Sequence, residues 1–179
     1  MSLKEDLLHG RKKVAVWGLG YIGFSSLVNF ARDGVLGVGI DLSQERVDDV
    51  NYGKVTLPNL VYWLGFDIKQ LSQNGTMRAT RRWEEVVDKE VGVHLISIPT
   101  EKDGKPYHDI LKSVITQISS FSARVKDKPI LIIVESTLTP TVAENIVFPI
   151  FEEYGLKVGK DILFGVAPRR DWFTSADKG

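Results

Sequence analysis

The segment 14–41 constrains the fold of this chain more than any other. An apolar run ending at Trp17 is followed by Gly-Leu-Gly-Tyr-Ile-Gly at 18–23, by helical periodicity to Arg32, and by a second apolar run that ends at Asp41. This order predicts a strand, a glycine-rich turn, a helix, a second strand and an acidic residue. A G-x-G-x-x-G sequence in that context indicates a dinucleotide site, whereas the same glycines without it predict only a turn.

Each glycine of that motif has a physical role. Gly18 permits the tight turn, Gly20 leaves no Cβ between the backbone and a pyrophosphate, and Gly23 lets the helix lie close to the sheet. The N–H groups and dipole of the helix start attract the phosphate charge. Asp41 lies 18 residues after Gly23, where a carboxylate accepts both ribose hydroxyls of NAD and repels the extra phosphate of NADP. We therefore predict NAD as the cofactor.

Composition limits the alternatives. The 179 residues suffice for one ordinary domain, and 23 Lys+Arg balance 23 Asp+Glu, so there is no basic field for nucleic acid or an anionic membrane. No apolar run approaches the length of a membrane span, and the polar start resembles no signal peptide, which predicts a cytoplasmic protein. There is no cysteine, and the three histidines lack metal-ligand spacing, so no metal site is predicted.

The rest of the chain alternates helical and strand patterns. We expect residues 1–12 to be a leader or short helical arm and 13–179 to be one domain. The further predicted strands are 77–80, 91–98, 129–134 and 162–167, and the further predicted helices are 43–51, 57–73, 83–89, 107–125 and one from 139 with a stop or kink at Pro149. Six strands alternating with helices predict an α/β, doubly wound parallel sheet, the Rossmann fold, in the order 3-2-1-4-5-6.

In such a sheet, ligands bind beyond the carboxyl ends of the strands, where the strand order reverses. The polar residues that follow those ends therefore converge on one crevice. They are Gly20, Tyr21, Thr100, Glu135, Ser136, Thr137, Arg169 and Arg170. This convergence is a second argument for a nucleotide site.

At this point the chain resembles the amino-terminal domain of the UDP-glucose and GDP-mannose (nucleotide-sugar) dehydrogenases. The matching blocks are Gly18 to Gly23, Asp41 with Arg46, Asn51-x-Gly53, Ile98-Pro99-Thr100 with Asp103-Gly104, and Glu135-Ser136-Thr137-x-x-Pro140-Thr141. That family uses two NAD to oxidise the sugar C6 hydroxyl to a carboxylate. The resemblance implies an oxidoreductase of polysaccharide biosynthesis that acts on a UDP- or GDP-linked sugar and forms a homodimer or larger assembly at full length.

The resemblance also assigns roles to residues. Thr137 is expected near the nicotinamide and the reacting sugar, where its hydroxyl holds a water, although a helix-capping hydroxyl is the alternative. Arg46 is expected at the adenosine ribose, with a solvated surface arginine as the alternative. The cofactor-binding residues expected in all are Gly18, Leu19, Gly20, Tyr21, Ile22, Gly23, Asp41, Arg46, Ser97, Pro99, Thr100, Glu135 and Ser136.

Two departures from the family pattern stand out. The family's catalytic cysteine and assisting lysine belong to a later portion, so we expect this chain to be a domain of a longer enzyme and inactive alone. After the last strand the family usually has Pro-Glu, whereas here Pro168-Arg169 occurs. Either Asp171 replaces the glutamate, or Arg169 and Arg170 clamp an acidic part of the substrate, or both arginines face solvent.

Two other functions remain open from the sequence. One is another NAD dehydrogenase with two domains, of the 6-phosphogluconate or 3-hydroxyacyl-CoA type, although the Glu135-Ser136-Thr137 string is not usual in those families. The other is a non-catalytic domain that senses NAD.

Overall fold

The structure, a computed structural model, describes residues 2–125, 129–169 and 171. Its centre is a parallel sheet of six strands in the order β3-β2-β1-β4-β7-β8. These strands are β1 (Lys13–Trp17), β2 (Gly37–Ile40), β3 (Met77–Thr80), β4 (Val91–Ile96), β7 (Ile130–Val134) and β8 (Ile162–Val166). A separate hairpin, β5 (Glu101–Lys102) and β6 (Lys105–Pro106), follows β4. Without the hairpin the order is 3-2-1-4-5-6, so the predicted fold is confirmed.

Helices cover both faces of this sheet. The α-helices are α1 (Leu3–Leu8), α2 (Tyr21–Arg32), α3 (Gln44–Tyr52), α4 (Leu60–Leu64), α5 (Lys69–Gln73), α6 (Asp109–Ser122) and α7 (Phe148–Glu153), with a 3₁₀ turn at Trp83–Glu85 and a π-helical turn at Ala143–Val147. In the part of the chain that the structure describes, no helix is long and apolar enough to cross a membrane.

The sheet is buried on both sides because successive strand residues point to opposite faces. In β1, Val14 and Val16 pack into the core cluster beneath α2. Ala15 and Trp17 pack into the other cluster, together with apolar residues of α6 such as Ile118. All residues of β2 and β4 are buried as well, which explains why these strands are continuous apolar runs in the sequence.

The helix α2 begins and ends where the sequence predicts, but its buried face differs. The helical periodicity of 21–32 predicts that Ile22, Ser26, Leu27 and Phe30 face the sheet. Ser26 and Leu27 are buried, whereas Ile22 and Phe30 are only half-buried. The fully buried apolar residues of α2 are Phe24, Leu27, Val28 and Ala31. The helix is therefore rotated so that Ile22, in its first turn, lines the cleft described below.

The single helix predicted over 57–73 is wrong. Two short helices, α4 and α5, replace it, because Gly65 adopts a left-handed conformation with φ of 69° and ends α4. Asn59, just before α4, is also left-handed. Leu64, at the end of α4, and Ile68, just before α5, both pack in the core cluster beside α2.

The helix predicted from 139 is interrupted by its proline. Five residues form a π-helical turn, and the α-helix α7 then starts at Phe148 with Pro149 in its first turn. Proline has no N–H for the hydrogen bond of the preceding turn. The wider turn shifts the phase, so Val147 and Phe151 are fully buried where Ile146 and Ile150 were expected.

Three smaller differences concern element ends. The helix predicted at 83–89 is only the 3₁₀ turn, and α6 is shorter at both ends than the predicted 107–125. The strand predicted at 91–98 stops at Ile96. The Asp103-Gly104 turn is confirmed: both residues have positive φ, as the tight turn of the hairpin requires.

Candidate functional site

A cleft of about 610 Å³ lies at the carboxyl edge of the sheet, between the loop after β1 and the helix α6. It lies where β1 and β4 are neighbours, which is the point where the strand order reverses. Of the residues predicted to bind cofactor, it is lined by Gly18, Gly20, Tyr21, Ile22, Asp41, Arg46, Ser97 and Pro99.

The three glycines of the turn 18–23, which we call the glycine loop, meet different surroundings. Gly18 has φ of +90°, and a Cβ there would lie 2.4 Å from the Ser97 carbonyl oxygen. A Cβ on Gly23 would lie 1.9 Å from the Gly18 carbonyl oxygen. Both positions therefore require glycine for folding, because backbone atoms occupy the space of a side chain.

Gly20 is different, because nothing in the protein lies within 4 Å of the place where its Cβ would be. It is the residue that precedes α2, and no side chain caps that helix. The first amides of a helix have no intrahelical partner, and they carry the positive end of the helix dipole. The space beside Gly20 and the uncapped helix start thus fit a diphosphate.

Asp41 closes the loop from the other side. One carboxylate oxygen accepts the Leu19 N–H at 2.7 Å, and the other accepts the Ser43 N–H at 2.8 Å. These bonds hold the carboxylate at the wall of the cleft with lone pairs to spare for ribose hydroxyls. Leu19 was predicted to bind the cofactor. In the structure its amide donates to Asp41, and its side chain is fully buried.

Arg46 borders the same cleft from α3. Its guanidinium donates to Asp49 at 2.7 Å and lies 3.0 Å from the Glu45 carboxylate. The Thr56 hydroxyl donates to the same Asp49 oxygen at 2.6 Å. The side chain is only 16% exposed, so it is not the freely solvated arginine that the sequence left open.

Glu135 lies outside the cleft, in a network with Ser26, Ser97 and Arg169 that we call the Glu135 network. The Ser26 hydroxyl donates to the carboxylate at 2.9 Å and the Ser97 hydroxyl at 2.6 Å. Arg169 donates to the Ser26 hydroxyl at 2.6 Å and lies 3.8 Å from the carboxylate. The expected direct contact of Glu135 with the cofactor therefore has no support in the geometry, because its oxygens are occupied inside the protein and it does not line the cleft.

The neighbouring polar residues Ser136 and Thr100 also make their hydrogen bonds inside the protein. The Ser136 hydroxyl accepts from the Ile98 N–H at 2.9 Å and donates to the Ile98 carbonyl at 2.7 Å. The Thr100 hydroxyl donates to the Thr137 carbonyl at 2.7 Å. These bonds fasten the end of β7 to the end of β4. Thr137 is exposed, and its own hydroxyl has no hydrogen bond to any described residue. It caps no helix of the described chain.

Arg169 does not have the free guanidinium that a substrate clamp requires. Besides Ser26 and Glu135, it binds Asp171, which therefore is not a free carboxylate either. Both residues line a separate cavity of about 320 Å³ behind α2, beside Trp63. The contacts of Arg169 therefore do not support the substrate clamp, and Arg170 lies outside the described residues.

The sequence also missed several residues that line the cleft. They are Trp17, Ile40, Leu42, Arg81, Trp83, Ile98 and, on α6, Ile110, Ser113, Val114 and Gln117. Leu42 and Arg81 had a usable signal, because each comes shortly after the end of a predicted strand. The residues of α6 had none, since which helical face meets the cleft depends on the packing of that helix.

Trp17 forms part of the floor of the cleft and is fixed from below. Its indole Nε1 donates to His94 Nδ1 at 3.1 Å, so the neutral imidazole carries its proton on Nε2. Burial lowers the pKa of His94 to about 3, and the Asp88 carboxylate opposes that shift. His94 is a structural acceptor at neutral pH. No group of metal-binding side chains occurs among the described residues.

The sheet, the uncapped α2 and the acid at the wall of the cleft together define a dinucleotide-binding domain of the Rossmann class. Residues 12–170 match the model of the UDP-glucose/GDP-mannose dehydrogenase family, NAD binding domain. The chain belongs to this family, and its cofactor is NAD.

Similar proteins agree with this membership. GDP-mannose 6-dehydrogenase of Azotobacter vinelandii is 32% identical over 87% of this chain and 35% of its own length. UDP-N-acetyl-D-mannosamine dehydrogenase of Pyrococcus horikoshii is 28% identical over 88% of the chain. A solved ternary complex of GDP-mannose dehydrogenase from Pseudomonas aeruginosa has a TM-score of 0.75 at 26% identity, covering 88% of this chain and 36% of that one.

The chain thus spans about a third of the length of these relatives. A 3-hydroxyisobutyrate dehydrogenase of Mycobacterium tuberculosis has a TM-score of 0.58 at 18% identity, which shows a shared fold alone. The nucleotide-sugar family, and not another dehydrogenase with two domains, is therefore the one that the comparisons support.

Proposed function

We propose that this chain is the cofactor-binding part of an enzyme that oxidises the C6 hydroxyl of a nucleotide sugar to a carboxylate. The observation that supports this most directly is the position of Asp41, held by two backbone amides at the wall of a cleft that begins at an uncapped helix. The names of the relatives support a GDP- or UDP-linked sugar as the substrate.

The chain's own residues divide the binding of NAD among them. The amides around Gly20 meet the diphosphate, and Asp41 accepts the hydroxyls of the adenosine ribose. Ser97 borders the cleft with its hydrogen directed to Glu135, which leaves its oxygen as an acceptor toward the cofactor. When bound, NAD accepts the hydride released from the sugar carbon.

Thr137 is the residue of this chain that we place nearest to the chemistry. It follows β7 at the carboxyl edge of the sheet, and its exposed hydroxyl is available to hold a water or a sugar hydroxyl. A covalent step on a thiolate needs a cysteine, and this sequence contains none. We therefore propose that residues 13–169 supply the cofactor site. A further part of the complete enzyme would then supply the nucleophile and most of the sugar pocket.

Two wider proposals follow from the family. We expect the complete enzyme to form a homodimer or a larger assembly, which the resemblance implies. We also propose that it acts in the cytoplasm.

The cofactor site is tested by calorimetric titration of the 179-residue chain with NAD and NADP. Wild type is expected to bind NAD, and NADP at least about tenfold more weakly, because the 2′-phosphate approaches the Asp41 carboxylate. Asp41→Asn keeps one acceptor oxygen for the backbone amides but loses the charge, so NAD should bind roughly ten- to a hundredfold more weakly.

Asp33→Ala is the matched control, because Asp33 is an exposed acid that pairs with Arg32 and does not line the cleft. Its NAD affinity should equal that of wild type. Equal affinity of wild type for NAD and NADP would refute the role of Asp41, and no binding of NAD at all would refute the proposed function.

A further inference from the structure

Asp41 has a neighbour across the sheet that the sequence did not single out. The last register pair of the parallel strands β2 and β3 is Ile40 with Thr80. Asp41 and Arg81 follow these two residues, and the Asp41 N–H donates to the Thr80 carbonyl at 3.3 Å. Asp41 and Arg81 therefore lie side by side at the carboxyl edge of the sheet, where we propose that the cofactor binds.

The two arginines of the cleft differ in what already binds them. Arg46 is fixed by Asp49 and Glu45, so its charge is compensated inside the protein. Arg81 is exposed, lines the cleft, and has no hydrogen bond or ion pair with another described residue. Its guanidinium plane and its five donors are available to a ligand.

The surface around Arg81 is suited to a flat ring. Leu42, the residue after Asp41, lines the cleft and is 81% exposed, more than any other large apolar side chain of the described residues. The indole of Trp83, two residues after Arg81, lines the same cleft. A guanidinium, an aliphatic side chain and an indole each pack well against the face of an aromatic ring. Of the three, only the guanidinium also binds phosphate groups.

The order of the cofactor's parts decides what reaches these residues. The diphosphate is placed at Gly20 and the ribose at Asp41, so the base lies farther along, beyond Asp41 and away from the glycine loop. We propose that Arg81 binds the adenine face of NAD, with Leu42 and Trp83 as its apolar surroundings. This inference rests on the proposed cofactor site and adds the residue that recognises the base.

The test is calorimetric titration of the 179-residue chain and its variants with NAD, NADP and ADP-ribose. Arg81→Ala should weaken NAD and ADP-ribose by the same factor, roughly three- to tenfold, and should leave the ratio of NAD to NADP affinity unchanged. Arg81→Lys should be as weak as Arg81→Ala, because an ammonium group has no plane to stack. Leu42→Asn should weaken both ligands too.

Arg82→Ala is the matched control. Arg82 is the adjacent exposed arginine, but it pairs with Glu85 and does not line the cleft, so its variant should bind NAD like wild type. The melting temperatures of the arginine variants should stay at the wild-type value, since both side chains are exposed.

The other outcomes separate the two proposals. If wild type binds NAD and Arg81→Ala binds it equally well, the adenine contact is refuted while the cofactor site stands. If Arg81→Ala weakens only NADP, Arg81 contacts a phosphate and the stacking is refuted. If Arg82→Ala weakens NAD as much as Arg81→Ala, a general positive field accounts for the effect and the specific contact is refuted.

Discussion

The glycine loop and the Glu135 network lie at the same edge of the sheet, yet they use their polar groups in opposite ways. The glycine loop leaves open space beside Gly20 and an uncapped helix start. The Glu135 network directs Ser26, Ser97 and Arg169 at one buried carboxylate. The first region is prepared for a ligand, and the second holds together the loops that surround it.

This difference shows that position at the carboxyl edge does not by itself make a residue a ligand contact. Ser97 belongs to both regions, because it lines the cleft and donates to Glu135. The Glu135 carboxylate thus fixes one wall of the cleft without lining it, because it holds Ser97, which does line it. Ser136 and Thr100 extend the same role, because they join the ends of β4 and β7.

The largest effect is expected from removing the charge of the Glu135 network. Glu135→Gln replaces an acceptor oxygen with a donor amide opposite two hydroxyls and leaves Arg169 without its buried partner, so the free energy of unfolding should fall by about 2 to 3 kcal/mol. Urea denaturation measures this. NAD affinity of the folded variant should change less than about threefold.

The exposed Glu144 provides the control, and Glu144→Gln should leave the free energy of unfolding unchanged. The comparison between the two regions would be wrong if Glu135→Gln kept full stability but lost NAD binding, because the carboxylate would then be a cofactor ligand.

An intermediate effect is expected in the glycine loop, where a substitution should weaken NAD binding without lowering the stability. Gly20→Ala adds a methyl group where the protein has open space and φ is −70°, so the stability should be unchanged. The methyl group occupies the place of the diphosphate, and NAD should bind at least about tenfold more weakly, which is about 1.4 kcal/mol. Calorimetry and a thermal melt together measure both quantities.

Gly165 is the matched control for this change. It too has open space at its Cβ position, but it lies in the edge strand β8 and does not line the cleft. Gly165→Ala should therefore alter neither stability nor binding by more than a small amount. Normal NAD affinity in Gly20→Ala would place the diphosphate elsewhere.

The smallest effect at neutral pH is expected from His94, which supports the floor of the cleft through Trp17. Burial lowers the pKa of His94 to about 3 in the folded chain, from 6.5 for the solvated side chain of an unfolded one. Between pH 6.5 and 3, His94 is protonated in the unfolded chain but neutral in the folded one. The free energy of unfolding therefore falls as the pH decreases, by about 1.4 kcal/mol per pH unit for this group. Above pH 6.5 this group adds no pH dependence.

His94→Gln keeps an acceptor for the Trp17 indole but does not titrate. Its unfolding free energy, measured in urea at a series of pH values, should stay within about 1 kcal/mol of wild type at pH 7 and fall less steeply in acid. His9→Gln, at an exposed histidine beside α1, is the control. Parallel curves for wild type and His94→Gln would contradict the buried neutral imidazole.

Much of the fold could be predicted because its signals are local. The apolar runs, the glycine loop and the helix α2 all follow from periodicity and from residues with special backbone requirements. The break at Gly65 and the π-helical turn before Pro149 were missed because apolar residues continue at helical spacing on both sides of each. The packing of the folded chain decided where each helix was interrupted.

The site was predicted less evenly. Gly20, Asp41 and Ser97 line the cleft, as expected from strand ends and the motif. Arg81 was missed although it follows the end of a predicted strand, and Trp83 was missed because no pattern in the sequence indicates that it lines the cleft. Arg169 was expected to face the substrate, since the sequence does not show that Ser26, 143 residues away, receives its guanidinium.

The sequence by itself predicted the order of the strands and the nature of the cofactor, because the alternation of strands and helices and the glycine motif are local patterns of residue types. Only the tertiary structure decided which polar side chains face the ligand and which face each other. The reason is that a hydroxyl or carboxylate at a strand end satisfies its hydrogen bonds with whatever the neighbouring elements bring within about 3 Å, and those partners come from distant parts of the chain.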